Sequence, residues 1–415
     1  MATYIPRIVD AELERALRVS GAVFIKGPRA CGKTATARQI AASEVRLDVH
    51  GPDITLARIN PVSILEGETP RLIDEWQAVP EVWNAVRHAV DDRQGKGQFI
   101  LTGSATPATD ALRHPGAGRM RSLTMRTMTI SERNDGHRAS WARVLEGTLE
   151  PAPGTEATVA DYAEWIVAGG WPGFHGLAPL DAADEVASYL QEMAEHDYPE
   201  IGGLRRDPRR FLSFLQAYAG LVAQPATGAA IRRRIGELSG AEPAPGTVDA
   251  LHDFASRLFL VEDQPAWATQ LRSRTALAQM PKRHLADPSL AASLLGATPD
   301  RLLTDLETLG ILFESQAIHD LRVVAQANRA RGVYHFRDTK GRDEIDAVVE
   351  NPDGSWVGVE IKLSHLQVET AAERLLATAE KVERPPSALV IIIPTGPVAQ
   401  LPNGVWVIPL ACLAP

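Results

Sequence analysis

The sequence predicts an α/β protein of three domains, and three changes of pattern along the chain support this prediction. Apolar strands alternate with helical stretches over residues 1–155, an order typical of a parallel sheet covered by helices. Helical patterns predominate over residues 156–298. From residue 299 to residue 415 a long amphipathic helix precedes closely spaced strands, which indicates a second α/β domain.

The composition is that of an ordinary globular protein. Of the 415 residues, 45% are hydrophobic and 23% are charged, which is sufficient to form several cores. The formal net charge of −9 argues against non-specific coating of nucleic acid, because phosphate binding draws on clustered Lys and Arg. The two cysteines cannot form a disulfide framework, and no apolar run approaches the roughly 18 residues that span a bilayer. We expect a cytoplasmic protein without a membrane segment.

The first domain contains the pattern G-x-x-x-x-G-K-[ST] between an apolar strand at residues 23–25 and a helix. The loop consists of Gly27, Pro28, Arg29, Ala30, Cys31, Gly32, Lys33 and Thr34. Its glycines let the backbone curl around phosphate, its lysine reaches the outer phosphates, and its threonine hydroxyl is a ligand for Mg²⁺. The pattern predicts a site for ATP and Mg²⁺, with a chance match in a strand-to-helix turn as the alternative.

Residues 71–77 contain a further short apolar strand that ends in two acids, Asp74 and Glu75. In a P-loop protein this arrangement is a Walker B motif, in which Asp74 holds Mg²⁺ through water and Glu75 polarises the attacking water. Acids also end strands where a chain meets solvent. The position after a phosphate loop favours the catalytic interpretation.

The next buried strand carries two hydroxyl side chains at its end, Thr102 and Ser104. The carboxyl ends of parallel strands meet at one edge of a sheet, where ligands bind. Either hydroxyl is a candidate sensor of the γ-phosphate, and we assign Ser104 to the nucleotide site. A simple strand cap is the alternative.

A glycine-rich segment at residues 114–121 predicts a flexible loop that carries arginine. In P-loop ATPases an arginine neutralises the charge that develops on the γ-phosphate, from the same subunit or from a neighbour. Arg119 is the first candidate and Arg126 the second. A solvated arginine is the alternative, and an arginine from a neighbour would require a homo-oligomer.

Together these motifs resemble those of a widespread group of prokaryotic AAA-type ATPases of the AAA+ superfamily. Members of that group join an N-terminal ATPase module to a C-terminal region of largely uncharacterised function. The resemblance rests on the phosphate loop and on residues 71–77, 99–104, 116–119, 281–288 and 309–314. It implies an ATP-hydrolysing enzyme and says more about architecture than about substrate.

The helices of the middle domain end in a short strand at residues 259–263, an order that resembles a winged helix. Such modules often enter the major groove of DNA. Arginine groups at residues 205–206, 209–210 and 232–234 favour a phosphate-facing surface, although solvated helix faces commonly carry such runs. DNA binding and contact with a partner protein are both open roles for this domain.

The third domain carries Asp346 on one strand and Glu360 and Lys362 on the next, which matches the PD-(D/E)xK nuclease signature. Strand alternation puts Glu360 and Lys362 on one face. Glu314, on the preceding helix, resembles the additional helical acid of several such nucleases. Ile345 stands where a proline often precedes the first acid, so the match is incomplete.

The nuclease signature implies a division of labour among these side chains. Glu314, Asp346 and Glu360 would hold Mg²⁺ or Mn²⁺. Lys362 would orient or activate water. The alternative is a solvated hairpin that carries Asp, Glu and Lys without any catalytic role.

Three hypotheses from different classes follow from the sequence. The first is an ATPase that acts on nucleic acid through its nuclease-like domain. The second is an ATP-dependent switch or scaffold that binds a partner protein and keeps the nuclease-like fold catalytically silent. The third is a protein-remodelling ring in which a neighbouring subunit supplies the arginine.

Overall fold

The computed structural model describes residues 4–48, 51–103, 116–134, 136–198, 207–268, 279–338 and 342–415. The chain divides into two compact units. The first contains residues 1–127 together with 171–173 and 254–260, and the second contains residues 128–170, 174–253 and 261–415.

A five-stranded sheet in the order β2-β3-β4-β1-β5 forms the centre of the first unit. Its strands are β1 (Ala22–Lys26), β2 (Ser43–Arg46), β3 (Arg71–Asp74), β4 (Phe99–Gly103) and β5 (Met120–Thr124). Every neighbouring pair is parallel, which confirms the parallel sheet predicted from the sequence. The helices of this unit are Ile8–Val19, Lys33–Arg38, Pro52–Ile59 and Val82–Arg93.

Both faces of this sheet are buried. On β1, Phe24 belongs to a core on one face with Trp76 and Trp83, whereas Val23 and Ile25 belong to a separate core on the other face. Successive side chains of a strand point to opposite faces, so a continuous apolar run matches a strand covered on both sides. This burial fixes the end of β1, where the phosphate loop begins.

Helices predominate in the middle of the chain, as predicted. They span Ile130–Arg133, Trp141–Glu146, Val159–Ala168, Pro179–Glu192, Pro208–Ala219, Gly228–Ser239, Pro245–Arg257, Pro288–Leu294 and Pro299–Thr304. Several begin at proline, which has no N–H to leave unpaired in a first helical turn. Threonine or aspartate side chains cap several of them, for example Thr227 and Asp287.

The short strand predicted at residues 259–263 is reduced to isolated bridges. Val261 pairs with Leu285, and Gln264 pairs with Lys282. This differs from the regular strand expected at the end of a winged helix, and that architecture remains a prediction.

A seven-stranded sheet in the order β7-β12-β13-β11-β10-β9-β8 lies in the second unit. Its strands are β7 (Ala152–Thr155), β8 (Gly332–Arg337), β9 (Glu344–Glu350), β10 (Trp356–Ile361), β11 (Ala388–Ile393), β12 (Gly396–Gln400) and β13 (Trp406–Pro409). Two further short strands, β6 (Ala139–Ser140) and β14 (Leu413–Ala414), pair with each other.

Strands β8, β9 and β10 form an antiparallel meander, and β10 then pairs in parallel with β11. Helix Leu306–Ala327 precedes the meander, and helix Val368–Ala379 connects β10 to β11. A long helix followed by closely spaced strands, as expected from the sequence, is therefore observed at these positions. Edge strand β7, which pairs with β12, lies at the end of the first predicted domain, residues 1–155.

Among the helices that the structure describes, none is both long and apolar enough to cross a membrane.

Candidate functional site

The phosphate loop joins the carboxyl end of β1 to helix Lys33–Arg38 and requires glycine at two positions. Gly32 caps the helix with φ 104°, a left-handed conformation that favours glycine. A Cβ added to Gly27 would lie 2.0 Å from the carbonyl oxygen of Met125. The glycine spacing in the sequence therefore corresponds to backbone positions that no other residue fits without displacement.

Lys33 is held inside this loop. Its side chain is buried, with 5% of the residue exposed. The ammonium donates to the carbonyl oxygens of Gly27 at 3.1 Å and Pro28 at 2.7 Å. The positive charge therefore lies beside the loop backbone that the pattern assigns to phosphate.

Asp74 connects the phosphate loop to the neighbouring strands. The Thr34 hydroxyl donates to Asp74 Oδ1 at 2.7 Å, and the Thr102 hydroxyl bonds the same oxygen. Asp74 is only 4% exposed, so these hydroxyls orient a buried carboxylate. Hydroxyl and carboxylate oxygens are the donors that Mg²⁺ prefers, and Thr34 with Asp74 therefore fits that ion.

Glu75 follows directly at the end of β3 and has a left-handed backbone, with φ 54°. Its N–H donates to Thr102 Oγ1 at 3.4 Å, and its carboxylate accepts a hydrogen bond from the Gln77 side chain. Such a backbone is uncommon for a glutamate and is found often at functional sites. Thr102 thus bonds both acids of the predicted Walker B motif, whereas Ser104 lies outside the described residues.

The structure does not bring Arg119 to the phosphate loop of its own chain. Its carbonyl oxygen accepts from Ala22 N–H at the start of β1, and its guanidinium pairs with Asp91. The phosphate loop follows the other end of β1, about 16 Å away at the usual rise per residue. A role of Arg119 at the nucleotide of its own chain does not agree with this placement.

Arg126 follows the carboxyl end of β5 and lies at the same sheet edge as the loop, since Met125 N–H donates to the Lys26 carbonyl at 2.8 Å. The buried Arg7 side chain joins these segments. It donates to the carbonyl oxygens of Cys31 and Arg126, each at 2.9 Å. Sequence reasoning missed Arg7, whose only signal was its position just before the first helix.

The predicted side chains of the third domain lie together. Asp346 is on β9, Glu360 is on β10, and Lys362 follows β10. The Lys362 ammonium donates to Glu360 Oε2 at 2.6 Å and to Asp346 Oδ2 at 3.4 Å. Glu314 projects to the same place from helix Leu306–Ala327, where Lys282 links it to Asp346.

Lys282 is the residue of this cluster that sequence reasoning missed. Its ammonium donates to Glu314 Oε1 at 2.6 Å and to Asp346 Oδ1 at 3.5 Å. Lys282 is 7% exposed, and its backbone pairs with Gln264 rather than with the sheet that carries the acids. The only signal in the sequence was its place in the segment 281–288 that supported the family resemblance.

The electrostatics of the cluster follow from burial and from this pairing. Burial, and then the Asp346 carboxylate, raise the pKa of Glu314 and of Glu360. Burial opposes ionisation of Asp346, but Lys282 and Lys362 outweigh it and lower the pKa of that carboxyl. Burial also opposes the charge on Lys282, but Glu314 and Asp346 raise the pKa of the ammonium.

The carboxylates are suitable ligands for Mg²⁺ or Mn²⁺ by chemistry, but their arrangement does not fit a divalent ion. One oxygen of Asp346 faces Lys282, and the other accepts from Lys362 and from Ile361 N–H at 3.0 Å. In the described part of the chain, no three His, Cys, Asp or Glu side chains are grouped so that they could hold a metal ion. The expected ligands are thus assembled, but around ammonium groups.

A cavity of about 920 Å³ opens next to this cluster. It is lined by Asp346, Glu360 and Lys362 and also by Arg342 and Arg374. Acids and bases are mixed along its wall, so the cavity is not a basic groove of the kind that tracks a nucleic-acid backbone.

In the middle region, two arginines of the predicted basic group at residues 232–234 form ordinary ion pairs. Arg232 lies 3.1 Å from Glu242, and Arg233 lies 3.9 Å from Glu237. Residues 205–206 lie outside the described residues. These pairs agree with the solvated-helix interpretation of residues 232–234.

Three family models match this chain. Residues 19–134 match a model described as an AAA domain. This match confirms the predicted AAA-type, ATP-binding P-loop domain. Residues 159–301 and 309–413 match models described as domains of unknown function, DUF8612 and DUF4143, which assign neither an architecture nor an activity.

Similar proteins occur among curated sequences. The uncharacterized proteins Rv2008c of Mycobacterium tuberculosis and Mb2031c of Mycobacterium bovis are each 26% identical over 364 residues. Each alignment covers 86% of this chain and 73% of the relative. The similarity therefore extends through all three predicted domains.

Solved structures share less with this chain. A Walker-type ATPase of Pyrococcus abyssi, PABY2304, is 14% identical with a TM-score of 0.42, covering 69% of this chain and 94% of its own. A chain from the Drosophila ORC bound to DNA is 14% identical with a TM-score of 0.20, covering 69% and 84%. At such low scores neither similarity assigns a fold or a function to this chain.

Proposed function

We propose that this protein is an ATPase that uses ATP binding and hydrolysis as a switch for its C-terminal region. The observation that carries this proposal is the pair of hydrogen bonds by which Thr34 and Thr102 hold Asp74. These bonds join the phosphate loop, β3 and β4 at one sheet edge. A P-loop site needs its hydroxyl ligand and its Walker B acid side by side, and this arrangement provides both.

Each step of hydrolysis falls to a different side chain. The Lys33 ammonium, released from the Gly27 and Pro28 carbonyls, neutralises the outer phosphates. Thr34 and Asp74 are the residues that would hold Mg²⁺, which supplies charge neutralisation at the β- and γ-phosphates. Glu75 orients and deprotonates the attacking water, and the Gln77 amide holds that carboxylate in place.

The proposal is tested by ATP turnover of the purified full chain with Mg²⁺. We expect turnover by the wild type and loss of ATP binding in Lys33→Ala. Arg38→Ala is the matched control, because Arg38 lies on the same helix but pairs with Glu44 at the surface. Absence of turnover and of ATP binding in the wild type would refute the proposal.

A second candidate is action on nucleic acid through a PD-(D/E)xK nuclease-like domain. It is favoured by the convergence of Asp346, Glu360 and Lys362 on one cavity, with Arg342 and Arg374 at its wall. The ion-paired arrangement of the acids counts against metal-dependent cutting. The mixed charge of the cavity instead favours a nuclease-like fold that is catalytically silent and binds a partner protein.

These two candidates are separated by one set of assays. Single-stranded, duplex and branched DNA are each incubated with the full chain, ATP and either Mg²⁺ or Mn²⁺. Cutting that disappears in Asp346→Asn would support a nuclease. Absence of cutting, together with ATP turnover that DNA does not change, would favour the switch that binds a partner protein.

A further inference from the structure

The acids of the C-terminal cluster already have a cation at their centre. The Lys282 ammonium lies between the Glu314 and Asp346 carboxylates, at 2.6 and 3.5 Å from one oxygen of each. In the nuclease hypothesis those two acids, with Glu360, are the expected metal ligands. Lys282 comes from outside the helix and strands that carry the acids, so no local pattern required it there.

We propose that Lys282 is the internal cation of this cluster and excludes divalent metal ions from it. The inference concerns the site of the second candidate function, and it does not depend on ATP hydrolysis.

Charge and distance both favour this role. A Mg²⁺ ion needs oxygen ligands at about 2.0–2.1 Å in a near-octahedral arrangement, so it would have to occupy the space that the ammonium fills. A divalent ion placed nearby would also face two ammonium groups, Lys282 and Lys362, in a poorly solvated site where repulsion is weakly screened. Both Asp346 oxygens are already bonded.

The backbone of Lys282 is anchored, so the ammonium is not simply a mobile surface charge. Lys282 N–H donates to the Gln264 carbonyl at 3.0 Å, and Gln264 N–H donates to the Lys282 carbonyl at 2.9 Å. The Gln264 side chain donates in turn to the Tyr334 and Asp346 carbonyl oxygens, at 3.0 and 2.9 Å. These bonds attach the lysine to β8 and to β9, the strand that carries Asp346.

Lys282 and Lys362 differ in a way that assigns the excluding role to Lys282. The Lys362 side chain is 27% exposed and lines the cavity, whereas the Lys282 side chain is 9% exposed. A lysine at the cavity wall can move aside into solvent. A buried lysine that bonds two half-buried acids cannot leave without removing the charge that compensates their carboxylates.

The test is a Mn²⁺ titration of the nucleotide-free full chain, with free Mn²⁺ followed by electron paramagnetic resonance. All proteins in this test carry Lys33→Ala, so that no residual nucleotide at the phosphate loop contributes to Mn²⁺ binding. We expect no Asp346-dependent Mn²⁺ site in this background. The variant that also carries Lys282→Gln should bind Mn²⁺ about tenfold or more tightly than the parent, which carries Lys33→Ala alone. The reason is that the ammonium that repels the metal ion has been removed.

Three further variants make the result specific. The increase in Mn²⁺ affinity should disappear when Lys282→Gln is combined with Asp346→Asn. It should not occur in Lys282→Arg, which keeps the positive charge. Lys381→Gln is the matched control, since Lys381 pairs with Asp343 in an exposed position at 2.6 Å. Circular dichroism establishes that each variant is folded.

Two results would overturn the proposal. One is Asp346-dependent Mn²⁺ binding in the presence of Lys282. The other is a folded Lys282→Gln variant that binds no more tightly than its parent. If Lys282→Gln does not fold, the parent and its Asp346→Asn variant still test the proposal, since Asp346-dependent Mn²⁺ binding in the parent would overturn it. ATP turnover of the wild type is measured separately. A failure of the proposed ATPase function is thereby distinguished from a failure of the proposal about Lys282.

Discussion

Glu75 illustrates how one residue depends on several neighbours. Its left-handed backbone, its N–H bond to Thr102 and its side-chain bond to Gln77 together hold this residue at the end of β3, directly after Asp74. An amide at this position would keep the shape but would not accept a proton from water.

We therefore expect Glu75→Gln to retain ATP binding and to slow turnover by about 100-fold or more, the usual contribution of a general base. The measurement is phosphate release at saturating ATP together with a direct ATP-binding assay. Glu81→Gln, an exposed glutamate in the same region, is the control and should behave as wild type. Equal turnover by Glu75→Gln and wild type would remove Glu75 from the mechanism.

The turn from β1 into helix Lys33–Arg38 depends on Gly27. A side chain there would collide with the Met125 backbone carbonyl, which is itself held by the register of β1 and β5. Neither partner can move without disturbing the sheet.

Gly27→Ala should therefore weaken ATP binding and lower the free energy of unfolding by about 2 kcal/mol or more, through backbone strain. Urea unfolding and ATP binding measure the two effects. Gly246→Ala is the control, since a Cβ at Gly246 would meet open space. Unchanged unfolding and ATP binding in Gly27→Ala would contradict the close approach.

Strand β8 carries a buried histidine, His335, which bonds the Met280 carbonyl. Burial, and then the charge of Lys282, lower its pKa to about 4. The unfolded chain has the ordinary histidine pKa of about 6.5, so between these values it binds the proton more tightly than the folded chain does. The contribution of His335 to stability is complete above about pH 6.5 and decreases as the pH falls toward 4.

We expect the free energy of unfolding of the wild type to decrease more steeply between pH 6.5 and pH 4 than that of His335→Gln, by about 3 kcal/mol over the window. Urea unfolding at several pH values gives this difference directly. His88→Gln, with an exposed histidine ring, is the control. Identical slopes in wild type and His335→Gln would contradict the lowered pKa.

In the whole molecule, the position of the proposed catalytic arginine distinguishes hydrolysis by a single chain from hydrolysis by an assembly. Arg126 follows β5 at the edge that carries the phosphate loop, whereas Arg119 precedes β5 at the opposite edge. An arginine at the opposite edge can serve a nucleotide only if that nucleotide belongs to a neighbouring subunit.

We expect Arg126→Ala to reduce turnover by on the order of tenfold or more, and Arg119→Ala to reduce it much less. Turnover is measured across a range of protein concentrations, with sedimentation velocity in the presence and absence of ATP. If Arg119→Ala causes the larger loss and turnover rises with assembly, the remodelling ring with an arginine supplied in trans is favoured instead.

Local sequence patterns determined the parts of this protein in which neighbouring residues act together. The glycine and lysine spacing after β1, the two acids after β3 and the alternation of Glu360 and Lys362 each lie within a few residues. Backbone geometry then specifies their relative positions, because a strand alternates its side chains and parallel strands end at one edge.

Only the tertiary structure decided the contacts between distant residues. Lys282 reaches Asp346 across 64 positions of sequence, and Arg7 reaches Arg126 across 119. The edge of the sheet on which Arg119 lies depends on the direction in which the chain enters β5. No local pattern encodes such contacts, because strand order and crossover connections bring the two partners together only after the chain has folded.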